Sequence, residues 1–185
     1  MEQIYLQHTN DETMQQEQLG STYLEMARVL NKSKEDENLE EAIHYQNKAV
    51  ECFLGLEKYA DSDYLAQIVM TLSELQDRAG LNEDALNSLR LVEKIYRNNY
   101  SEVHAKTCKV KRNISLLYLK SDQNDDALDE LCQVEELERT LYGEQSTQLG
   151  KTYKVIGTIY LLSKNHDEAK QYLQKAQAIF EQKGL

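Results

Sequence analysis

The sequence predicts an all-α protein in which antiparallel helix pairs repeat along the chain, and three observations carry that prediction. First, 185 residues contain no proline, where an average usage of about 5% would supply roughly nine, and only seven glycines. An all-β chain of tight turns leans on both residues, so that class fits badly, and collagen and polyproline linkers are excluded. Second, four acidic–alanine dipeptides recur: Glu41-Ala42, Asp84-Ala85, Asp126-Ala127 and Glu168-Ala169, with the alanines 43, 42 and 42 residues apart. A fixed period of this size marks a repeat architecture. Third, apolar or small residues upstream of the dipeptides recur at spacings of three and four, as in Tyr153, Ile156, Gly157 and Tyr160, or Ile114, Ser115 and Tyr118. That spacing lines one face of a helix.

Each period therefore reads as two amphipathic helices. Seven residues after each alanine stands a second small or β-branched residue (Ala49, Val92, Val134, Ala176), which puts two compact side chains on one face for a close helix approach. Short polar turns separate the two helices, at Arg78–Asn82, Lys120–Asn124 and Ser163–His166. Asn82, Asn124 and Asn165 are the expected caps of the second helices, followed by acidic residues suited to the positive helix end. The units are placed at about residues 20–57, 66–99, 108–141 and 150–183, forming one array over 1–185. The first unit needs an insertion, assigned to Lys34-Glu35-Asp36-Glu37. Residues 1–15 read as the tail of a preceding unit, because Glu2-Gln3-Ile4-Tyr5 echoes Glu93-Lys94-Ile95-Tyr96. With no polar capping helix after the last unit, the chain is expected to be a segment of a longer array, or to associate end to end or as a homodimer through an uncapped terminal repeat.

These residues resemble the tetratricopeptide repeat, whose pattern is aromatic-x2-Leu-Gly-x2-Tyr followed by Ala, Phe or Leu, and Ala. The last unit fits with Tyr153, Ile156, Gly157, Tyr160, Ala169, Leu173 and Ala176, and the third with Ile114, Ser115, Tyr118, Ala127, Leu131 and Val134. In the second, Gln76 stands at the tyrosine place; the first offers Tyr23, Met26, Ala27 and Leu30. A 42-residue period exceeds the usual one of about 34, and so is similar to the long repeats of kinesin light chain and nephrocystin. The proline usual in that class's loops is missing here. The resemblance implies a right-handed α-solenoid of helix pairs with long second helices, whose first helices line a concave groove that binds partner peptides.

Charge and composition narrow the chemistry. A net charge of -11 disfavours nucleic acid and anionic lipid as bulk partners, and no apolar run reaches the roughly 18 residues of a membrane span. Three scattered cysteines, Cys52, Cys108 and Cys132, read as small apolar side chains in a reducing compartment, which points to the cytoplasm. No glycine-rich phosphate loop is present, no cofactor is expected, and His104 with Cys108 lacks the second pair that a zinc site requires. Asp125-Asp126 and Glu135-Glu136 read as solvated helix faces or first turns. The four repeat-core tyrosines Tyr23, Tyr118, Tyr153 and Tyr160 read as packing residues. No convergent acid, base and nucleophile set exists, so no catalytic residue is assigned and the chain is expected not to be an enzyme.

The groove implied by the resemblance gives the candidate site. Its places in the third unit are Lys109, Arg112, Asn113, Leu116 and Leu119, and in the fourth Lys151, Lys154, Val155, Thr158 and Leu161. The peptide-binding set is Lys109, Arg112, Asn113, Leu116, Lys151, Lys154 and Thr158, a basic strip in an acidic chain that suits a protein or peptide with an acidic segment. In the second unit the groove places hold Gln67, Met70, Thr71, Glu74 and Asp77. Chaperone-binding relatives clamp a terminal carboxylate with five residues, of which only Asn113 and Lys151 match here, so that clamp is not expected. The resemblance implies a non-enzymatic scaffold or adaptor, set in a cytoskeletal or ciliary assembly. The alternatives are a peptide receptor that changes curvature and the non-catalytic repeat region of an enzyme.

Overall fold

The computed structural model describes residues 2–32 and 38–184, and among them eight helices and no strand. They are α1 (Glu2–Lys32), α2 (Leu39–Leu54), α3 (Asp63–Arg78), α4 (Asn82–Asn99), α5 (Ala105–Lys120), α6 (Asn124–Tyr142), α7 (Thr147–Leu162) and α8 (His166–Lys183). Sequential helices pack as antiparallel pairs, α1 with α2, α3 with α4, α5 with α6 and α7 with α8. The chain forms two compact units of two pairs each, Met1–Asn99 and Tyr100–Leu185. The insertion expected at Lys34–Glu37 lies outside the described residues. The segment expected as a tail of a preceding unit is continuous with α1, whose 31 residues run unbroken from Glu2.

The first helices α3, α5 and α7 each begin three residues before the expected unit boundary, and the capping residues explain why. Ser62 Oγ accepts from the Leu65 amide at 3.1 Å and Ser146 Oγ from Leu149 at 3.3 Å. Midway between them in sequence, His104 Nδ1 accepts from Lys106 at 3.2 Å and its ring stacks on Tyr100 at 4.2 Å. These three satisfy amides that a helix start leaves without partners. Two of the asparagines expected to cap second helices, Asn124 and Asn165, do not do so by side chain. Asn124 is already inside α6, which Gln123 precedes, and the Asn165 side chain makes no cap hydrogen bond. Of the second helices, α4, α6 and α8 have 18, 19 and 18 residues against 16 in their first helices, which takes up part of the longer period.

The turns inside three pairs share one geometry. Gly80, Asp122 and Lys164, spaced 42 residues apart, all have left-handed backbones with φ of 74°, 57° and 63°. The residue after each donates back five places: Leu81 N to Gln76 O at 2.9 Å, Gln123 N to Tyr118 O at 2.9 Å and Asn165 N to Tyr160 O at 2.8 Å. This is the Schellman closure, which satisfies the last carbonyls of the first helix without proline. Only one of the three positions carries the glycine that such a backbone favours.

Cores form separately in each unit. In the first, Ala42, Ala49, Phe53, Leu65, Ala66, Val69 and Val92 are buried. Buried polar groups there are satisfied across helices: Gln46 Nε2 donates to the Ile68 carbonyl at 2.8 Å, and Ser88 Oγ donates to Gln76 Oε1 at 2.7 Å. Gln76, which replaces the repeat's tyrosine, is thus a buried hydrogen-bonding residue. In the second unit Ala127, Leu131, Ile156 and Ile159 cluster between α6 and α7, and Leu149, Tyr153, Ala176 and Ile179 between α7 and α8. Gly157 lets α8 approach: a Cβ there would meet Leu173 Cγ at 2.8 Å and the Ala169 carbonyl at 3.2 Å.

A non-glycine residue in the left-handed region costs about 1–2 kcal/mol, part of which glycine's greater unfolded-state freedom offsets. Lys164→Gly is therefore expected to stabilise the second unit by about 0.5–1 kcal/mol, read as a higher urea midpoint. Ser163→Gly, at a right-handed φ of -78°, is expected to lower that midpoint.

Candidate functional site

The expected binding residues of the second unit lie on α5 and α7, both first helices of their pairs. Lys109 and Leu116 on α5 and Lys151, Lys154 and Thr158 on α7 are exposed, while Asn113 is half-buried. A 42-residue shift maps Lys109 onto Lys151 and Leu116 onto Thr158, so the two helices present matching registers. Lys109, Lys151 and Lys154 make no ion pair among the described residues. Exposed Leu116 and Leu161 place apolar surface beside these charges.

Arg112 departs from the expectation of a groove cation. Its guanidinium forms a close ion pair with Glu138 and donates to Thr152 Oγ1 at 3.0 Å. Glu138, 1% exposed, also accepts from the Thr152 hydroxyl at 2.7 Å. Arg112 therefore ties α5 to α6 and α7, because a buried carboxylate without a cation would be far costlier than the loss of one surface charge. The preceding residue, buried Lys111, reaches Glu130 at 3.4 Å and Gln133 Oε1 at 2.9 Å. The strip of free cations is thus made of three lysines.

A second correction concerns Glu135, expected on a solvated face. It is buried, holds Arg139 at 2.6 Å and accepts a hydrogen bond of 3.5 Å from the Tyr172 hydroxyl. Glu136 is exposed and pairs with Arg139 at 2.8 Å, while Asp125 and Asp126 stand exposed in the first turn of α6. Tyr153 and Tyr160 both pack against Tyr172, with ring centroids 5.8 Å and 5.7 Å away, and Lys175 Nζ lies 4.6 Å from the Tyr172 ring centroid. Burial, and then the Glu135 carboxylate, push the Tyr172 phenol up to about 12. Of the cysteines, Cys52 and Cys108 are buried as expected of apolar side chains, but Cys132 is exposed.

The first unit holds a groove that the strip on α5 and α7 does not include. Leu24, Arg28 and Asn31 of α1 face Tyr64, Gln67 and Thr71 of α3 over Gln46, enclosing about 380 Å³. Gln67 and Thr71 are groove places by the repeat register. The α1 wall was not read from sequence, since the irregular spacing of the first unit obscures it. His44 and His166 are exposed surface residues, and His166 opens α8. Among the described residues, no His, Cys, Asp and Glu cluster could hold a metal ion, and no helix is long and apolar enough to cross a membrane.

Paired antiparallel helices with a 42-residue register, small residues at their crossings and side chains exposed along the first helices define a helical-repeat protein. Residues 106–182 match the tetratricopeptide repeat family. Among solved structures the chain is similar to BtubC (BKLC) from P. vanneervenii at 22% identity and a TM-score of 0.70, covering 92% of this chain and 74% of that one. It is also similar to a kinesin light chain-like protein of Podospora anserina with nearly identical TPR-like repeats, at 15% identity and a TM-score of 0.73, covering 89% and 76%. A Rap protein complexed with Competence and Sporulation Factor aligns at 20% identity and a TM-score of 0.58, covering 88% of this chain and 43% of that one. Among curated proteins none matches the sequence.

Two outcomes follow from the polar interior of the second unit. Glu138→Gln leaves the Arg112 guanidinium without its counter-charge and is expected to cost about 2–3 kcal/mol by urea denaturation, part of it recovered by a second change, Arg112→Met. Because the folded Tyr172 phenol is raised above its unfolded value near 10, its contribution is complete below pH 10 and is lost as pH rises toward about 12. Tyr172→Phe is expected to flatten the fall of stability with pH in that window, measured by denaturation at stepped alkaline pH.

Proposed function

We propose that the protein is a non-enzymatic scaffold or adaptor whose second unit captures an acidic segment of a partner protein along α5 and α7. The observation that carries this reading is the row of three exposed lysines, Lys109, Lys151 and Lys154, without ion partners among the described residues, in a chain of net charge -11. An unpaired cation is available to a carboxylate, whereas one already paired must first break its own bond. Asn113 supplies an amide for the peptide backbone, Thr158 a hydroxyl, and Leu116 an apolar anchor. Arg112 acts from behind this face as a positioning residue that fixes α5 against α6. The Rap protein that aligns with this chain is complexed with Competence and Sporulation Factor, which supports ligand capture on this fold. A cytoplasmic setting in a cytoskeletal or ciliary assembly belongs to the same proposal and rests on the kinesin light chain-like neighbours.

The test uses a fluorescein-labelled ten-residue peptide of glutamate, aspartate and leucine, titrated with the whole chain and followed by anisotropy. Reversing Lys109, Lys151 and Lys154 to glutamate is expected to weaken binding at least tenfold at low salt and to leave the urea midpoint in place, since all three are exposed. Raising the salt is expected to weaken the wild-type complex and to narrow the difference. Equal affinity of the two proteins would refute the strip as the site.

A further inference from the structure

Three first helices open on a capping side chain at one place of the repeat register, and one of the three caps can take up a proton. Ser62, His104 and Ser146 each accept from an amide at the start of α3, α5 or α7. A serine hydroxyl accepts at every physiological pH. An imidazole accepts through Nδ1 only while that nitrogen carries no proton, and histidine ordinarily changes its charge between pH 5 and 8. With a proton on both ring nitrogens, His104 has no acceptor left for the Lys106 amide, which lies 3.2 Å from Nδ1.

The charges around the ring oppose that proton. The first turn of α5 carries no acidic residue and holds Lys106, so an imidazolium adds to the positive end of the helix. His104 stacks on the Tyr100 ring, but Lys106 Nζ already lies 4.7 Å from that ring's centroid and donates to its hydroxyl at 2.8 Å. Two groups favour the proton, the face of Tyr100 and the Glu102 carboxylate two residues earlier. The first is shared with Lys106, and among the described residues His104 has no ion-pair partner. On α6, Glu138 comes within 3.8 Å of Cys108 Sγ; it is held by Arg112 and Thr152, Arg139 is held by Glu135 and Glu136, and Tyr142 closes the helix. The lost acceptor therefore sets the sign. We propose that His104 is a proton-operated clasp on α5, which holds the first turn when neutral and releases it when protonated. The order it gives is complete above the histidine range and is lost as pH falls through it, while the serine clasps of α3 and α7 are indifferent. Lys109 follows within one turn, so acidification loosens the α5 side of the lysine strip; that consequence rests on the function proposed above, and the clasp itself does not.

The test is amide hydrogen exchange of the whole chain without ligand at about pH 7.5 and about pH 5.5, corrected for the intrinsic rate at each; ordinary carboxylates stay ionised throughout. The amides to compare make the first backbone bonds of the three helices: Ala66 to the Ser62 carbonyl at 3.1 Å, Cys108 to His104 at 2.9 Å and Gly150 to Ser146 at 3.0 Å. Protection at Cys108 is expected to fall about fivefold at the lower pH, as for the loss of one helix cap, while Ala66 and Gly150 change by less than about twofold. His104→Ser is expected to keep Cys108 protected at both values, and His166→Gln to leave the wild-type fall in place. A wild-type urea midpoint at the higher pH shows that the serine variant is folded, and His104→Asn, a second cap that does not titrate, takes its place if that midpoint drops. No fall at Cys108, an equal fall at all three amides, or the same fall in the variant without His104 would overturn the proposal.

Discussion

In every pair the second helix meets the first through an alanine with almost no exposed surface, Ala42, Ala85, Ala127 or Ala169, and a larger side chain at that place would push the helices apart. The repeat register holds equally small residues on the first helix, Ala27, Ser73, Ser115 and Gly157, and a Cβ at Gly157 would meet the Ala169 carbonyl at 3.2 Å. Two turns further along, Ala49, Val92, Val134 and Ala176 hold the same spacing, so each pair is fixed at two points rather than hinged at one. Close approach brings the larger flanking residues into contact over the length of the helices. The burial of Phe53, Leu65, Ile114 and Ile156 follows from it, as does the exposure of whatever stands on the opposite face.

Polar groups divide the two units more than their cores do. The first unit satisfies much of its interior with neutral amides and hydroxyls, Gln46 to a backbone carbonyl and Ser88 to Gln76, and holds buried Glu93 against Arg90 at 2.9 Å. The second uses charge, with Glu138, Glu130 and Glu135 all buried and each held by a cation or a hydroxyl. Three acidic side chains are thereby removed from the surface together with Arg112, Lys111 and part of Arg139. What remains outward on α5 and α7 is a set of lysines without internal work. The positive face is a residue of this partition and not of overall composition, which is acidic.

The repeat, the helix pairs and the four alanines were legible because a steric requirement at a fixed place leaves the same residue type in every period. Caps were less legible. Ser62 and Ser146 stand 84 residues apart with His104 midway, a regularity hidden by the histidine, which is seldom read as an acceptor for a helix start. The use of Arg112 could not be read from its own position, since its partners Glu138 and Thr152 lie 26 and 40 residues away on two other helices. Glu135 looked like surface because it neighbours Glu136, although adjacent residues on a helix point about 100° apart and only one of them faces inward.

The Schellman turns at Gly80, Asp122 and Lys164 have a kinetic consequence. Each of these three turns is closed by hydrogen bonds between residues five or fewer apart, and no peptide bond in the chain precedes a proline. The tens-of-seconds isomerisation that holds many unfolded chains in mixed populations has no bond on which to act here. Unfolded molecules therefore start refolding from a single isomeric state, limited by helix formation and pair docking alone, with nothing for a prolyl isomerase to accelerate.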